Sequence, residues 1–119
     1  LNIEIYLPAI NIKKFSLNKS SLINKRLPSS FSITCFKDNN EIFKKNYEIS
    51  YEPEKIIIEL DQVIQVDKIK IEIYDTFNTS KICRIERIQL FDSQYNNVLA
   101  YEKIDDNILN SFKVNISSS

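Results

Sequence analysis

The sequence predicts an all-β domain, a sandwich or barrel of short strands. Three observations point there. β-Branched and aromatic side chains recur at every second position, the period of a strand with one buried face. Runs rich in Asn, Asp, Ser and Lys interrupt these patterns at spacings near ten residues, as in sandwiches and barrels. No segment carries a convincing helical stripe; residues 99–110 are the best of poor candidates.

The elements follow in order. "NIEIYL" sets Ile3, Ile5 and Leu7 on one face, and Pro8 is expected to end that strand. "INIKKFSL" alternates through Ile10 and Ile12, then slips in phase to Phe15 and Leu17, which predicts a bulge. Residues 18–30 are polar and predict a long loop. "FSITCF" puts Phe31, Ile33 and Cys35 on one side. "KDNN" turns the chain, and "EIFKKNYEIS" returns as the second arm of a hairpin, with asparagine taking the positive-φ positions glycine would usually hold. "EKIIIEL" aligns Ile56, Ile58 and Leu60. "DKIKIEIY" aligns Ile69, Ile71 and Ile73 against Lys68, Lys70 and Glu72. "ICRIERIQLF" is expected to pair with it across the turn "DTFNTS", and "NNVLAYEKI" and "SFKVNI" are weaker strands.

Composition narrows the chemistry. The 119 residues form one domain by size and can bury a core without staples. Hydrophobic residues make up 43% and charged residues 27%, ordinary for a globular chain. Sixteen basic and sixteen acidic residues cancel, which removes the general electrostatic drive toward nucleic acid or anionic membrane. No apolar run approaches the 18 or more residues of a membrane span. With no histidine, Ser-His-Asp, Cys-His and His-ligated zinc chemistry are excluded. With no glycine, so are the glycine-rich loops that cradle phosphates. Adjacent acids such as Asp105-Asp106 are ordinary in a polar turn, so no catalytic constellation is expected, and no cofactor. The first residue is Leu1, which reads as the start of a processed or excised piece. Cys35 and Cys83 sit in apolar strand patterns, where core thiols, an inter-strand disulfide or a reactive thiol are all open.

Three blocks carry a resemblance. "LNIEIYLPAINIKKFSL" is similar to a strand pair, and "LPSSFSITCFKDNNEIFKK" to a hairpin of the form P-x-x-F/W-x-I-x-x-S-x-D-x-x-x-W. In the hairpin Pro28, Phe31, Ile33 and Asp38 match, and Phe43 stands near the tryptophan. "DKIKIEIYDTFNTSKICRIERIQLFD" is similar to a closing pair, with Glu86 at a shared glutamate. Together they resemble the discoidin-like, coagulation factor type C family, including versions in bacterial phage tail proteins. The resemblance covers about residues 1–92; residues 93–119 are a C-terminal extension or extra strands. It implies a galactose-binding-like jelly-roll β-sandwich. The family's glycine- and aspartate-rich loop, where a calcium site often lies, has no counterpart here, so no metal site is carried over.

The resemblance also implies where a ligand would sit. Glycan-binding members of the fold use loops at one end of the sandwich, often with an aromatic platform before the last strand. Phe77 falls there, flanked by Asp75, Asn78 and Thr79. A ring over a sugar face, with amide, hydroxyl and carboxylate groups nearby, suits carbohydrate. Against this stands a Phe77 that merely packs on the core rim. Lys25 and Arg26 in the long loop are a second candidate surface. Arg84 and Arg87 read as ion-pairing groups on the sheet face, partnered by Glu86 or Glu72. Lys13-Lys14 and Lys44-Lys45 read as solvated edges that discourage strand association. The expected role is a non-catalytic module binding a glycan or cell-surface ligand. The alternative is a structural domain contacting neighbouring protein subunits, as in a phage tail. Either suggests an extracellular, cell-surface or virion-associated setting.

Overall fold

A computed structural model describes residues 1–19, 27–77 and 81–115. Every regular element in it is a strand: β1 (Asn2–Asn18), β2 (Pro28–Lys37), β3 (Asn40–Glu48), β4 (Lys55–Thr76), β5 (Ile82–Phe91), β6 (Asn97–Asn107) and β7 (Ser111–Asn115). They make one seven-stranded sheet in the order β3-β2-β4-β1-β5-β6, with β7 on β1. All pairings are antiparallel except β1–β7.

Two long strands organise the molecule. The first part of β1, Asn2 to Tyr6, lies between β4 (Lys68 to Glu72) and β7. Its last part, Lys14 to Asn18, lies between the start of β4 (Lys55 to Glu59) and β5. The sheet therefore has two halves, β3-β2-β4-β1-β7 and β4-β1-β5-β6, that share β1 and β4. Between them the β1–β4 ladder breaks register twice, between Tyr6 and Ile10 and between Ile12 and Lys14. Pro8 falls in the first break, where its missing N–H costs no ladder bond. Bulges bend and twist a strand. Here they turn the two halves toward each other. A single flat sheet is about 10 Å deep, and the molecule measures 35 × 27 × 27 Å, room for two layers.

The buried residues follow from that curl. Ile3, Ile5, Ile12, Phe15 and Leu17 of β1 meet Phe31, Ile33 and Cys35 of β2, Ile69 and Ile71 of β4, and Ile88 and Leu90 of β5 in one cluster. All are fully buried. On the opposite face of β2, Ser32 and Thr34 are also buried. Each is a short side chain paired between longer ones, Ser32 with Asn46 and Glu72, Thr34 with Lys44 and Lys70.

Several expectations need correction. Pro8 does not end a strand, because a bulge absorbs it. The segments 54–60 and 67–74 are one strand, β4. Residues 99–110, a poor helix candidate in the sequence, hold most of β6 and a turn, in line with the strand expected at "NNVLAYEKI". The stretch 67–92 is not a hairpin: β4 and β5 each pair with β1. Lys13 and Lys14 belong to that central strand, whereas Lys44 and Lys45 do lie on an edge strand, β3. The β2–β3 hairpin turn forms as a two-residue loop, with Asn39 at φ 65° as expected and Asp38, where asparagine was expected, at φ 51°.

Candidate functional site

The two loops singled out in the sequence leave the fold side by side. Pro28, at the start of β2, pairs with Thr76 at the end of β4. One residue beyond, the Phe77 N–H donates to the Leu27 carbonyl at 3.3 Å. Leu27 and Thr76 are buried, so the junction is anchored in the core. Asp75 is half-buried, pairs with Ser30, and accepts the Thr76 N–H through Oδ1 at 2.8 Å. Phe77 is half-buried and packs against the core. Asn78, Thr79, Lys25 and Arg26 lie outside the described residues. The well-exposed ring nearby belongs to Tyr74, 52% exposed, whose hydroxyl sits 3.0 Å from Ser32 Oγ on the outer face.

That outer face carries a lysine–aromatic array. Lys68 Nζ lies 5.2 Å from the Tyr6 ring centroid and 4.9 Å from that of Phe36, and Lys113 Nζ lies 5.8 Å from Tyr6. The Tyr6 hydroxyl donates to Glu4 at 2.7 Å. That bond holds the Glu4 carboxyl below the usual carboxylate range, with Lys68 and Lys113 adding to it against the cost of burial. The same bond raises the Tyr6 phenol. Each charge already has its partner, which makes this a covered sheet face and not an open anion site.

A second array, not singled out in the sequence, surrounds the β5–β6 turn. Lys14 Nζ sits 4.4 Å from the Phe91 ring centroid and 4.7 Å from that of Tyr95. The Tyr95 hydroxyl donates to Glu59, which raises the phenol. Tyr95 has φ 61°, a region an aromatic residue rarely adopts. Asp92 holds it there: its Oδ1 accepts the N–H groups of Gln94 and Asn96, and its carbonyl accepts that of Tyr95. The Asn96 N–H is the main reason the Asp92 carboxyl stays acidic. The signal in the sequence was "DSQYNN", an aspartate followed by the turn that its side chain caps.

Cys35 and Cys83 are free and buried, and desolvation pushes both thiols up to about 12. Among the described residues no three His, Cys, Asp or Glu side chains are grouped to hold a metal ion. Arg84 pairs with Asp105 at 2.9 Å, across the ladder on β6, in place of the expected Glu86 or Glu72. Among the described residues no helix is long and apolar enough to cross a membrane. No family model, no curated protein and no solved structure matches the chain.

Proposed function

We propose that the protein is a non-catalytic binding module of the galactose-binding-like jelly-roll kind, which recognises a carbohydrate or cell-surface ligand through loops at one end of the sandwich. One observation carries this reading. The Leu27–Phe77 hydrogen bond and the Pro28–Thr76 pair root both candidate loops at one point on the rim. A single ligand bound there meets Asp75 and the aromatic Phe77 at these roots. Curved all-β scaffolds support loop sites of this sort because the strands fix the loop roots.

A glycan array tests the reading, using wild type, Asp75→Ala and the double variant Lys25→Ala/Arg26→Ala. Binding by wild type that both variants lose supports it. Phe77→Ala is less clean, because that ring packs on the core. An array on which wild type binds no glycan removes the carbohydrate reading.

The second reading, an assembly domain that contacts neighbouring protein chains, is favoured by a different observation. Ile57, Val63, Tyr95 and Val98, four of the exposed large apolar side chains, gather on and beside the outer face of the β4-β1-β5-β6 half.

A further inference from the structure

We draw no further inference here: the strongest candidate, the open recess beside Tyr74 between the start of β1, the end of β4 and the β6–β7 turn, carries nothing, because its one orphan acceptor, Asn2 Oδ1, is buried out of a ligand's reach and nothing in the structure shows what occupies the recess.

Discussion

The two buried thiols should make the protein unusually sensitive to alkali. Cys35 and Cys83 are each raised from 9.0 to about 12, chiefly by desolvation. At 1.36 kcal/mol per pH unit, that difference of about three favours the neutral thiol by roughly 4 kcal/mol at each site. Below pH 9 both folded and unfolded chains keep neutral thiols, and the contribution is fully present. Above pH 9 the unfolded chain ionises first, so stability falls until the folded thiols ionise near pH 12. The two sites together remove about 8 kcal/mol across that window, comparable with the ~5–15 kcal/mol of a whole domain. Urea titrations followed by circular dichroism at half-unit steps from pH 8 to 12 read this directly. Once the unfolded-chain thiols have ionised, above about pH 10, wild type should lose roughly 3 kcal/mol per pH unit from the thiols alone, twice the single-site slope. Cys35→Ala/Cys83→Ala starts less stable but lacks that slope. Tyr6 and Tyr95 are also raised and titrate in both proteins. Tyr47, raised chiefly by burial and in part by Cys35, shifts with the substitution, so the difference between the curves reads the thiols together with that coupling. Equal slopes in the two proteins would refute the burial of these cysteines.

Other perturbations have simpler readouts. Phe15→Ala removes a fully buried ring where β1 lies between β4 and β5, and should cost about 3–5 kcal/mol in urea titration. Asn39→Val forces a β-branched residue to φ 65°, and should cost about 1–2 kcal/mol, while Asn39→Gly should be tolerated. Arg84→Ala breaks an exposed pair with Asp105, and its effect should stay under about 1 kcal/mol. Replacing both Lys44 and Lys45 by isoleucine strips the guard from edge strand β3 and should raise light scattering on incubation, with little change in the urea midpoint.

Strand identity was legible wherever alternation kept phase. Ile69, Ile71 and Ile73, and Phe31, Ile33 and Cys35, are buried as their period two requires. The Asp38-Asn39 turn was legible from its residue types. Continuity was not. In β4 the buried positions run Ile56, Ile58, Leu60 and Val66, then Ile69, Ile71 and Ile73, a change of parity that reads as two strands until a bulge joins them. Pairing was illegible for a related reason. Alternation fixes which face of β4 and β5 is inward but not which strand lies beside each, and here β1 separates them over Lys14 to Asn18. The roots of the end loops follow from strand ends, whereas the Tyr95 array joins β1, β4 and the β5–β6 turn, which no local pattern brings together.

The account rests on that central position of β1, because it curls the sheet, buries the core and exposes the Tyr95 face. Nuclear Overhauser contacts in isotopically labelled protein measure it most directly. The expected pattern places Phe15 beside both Ile58 and Leu90, Ile5 beside Ile69, and Pro28 beside Thr76. Direct strand-to-strand contacts between Ile73 and Ile82 and outward along a β4–β5 hairpin, with none from Phe15 to Leu90, would contradict it.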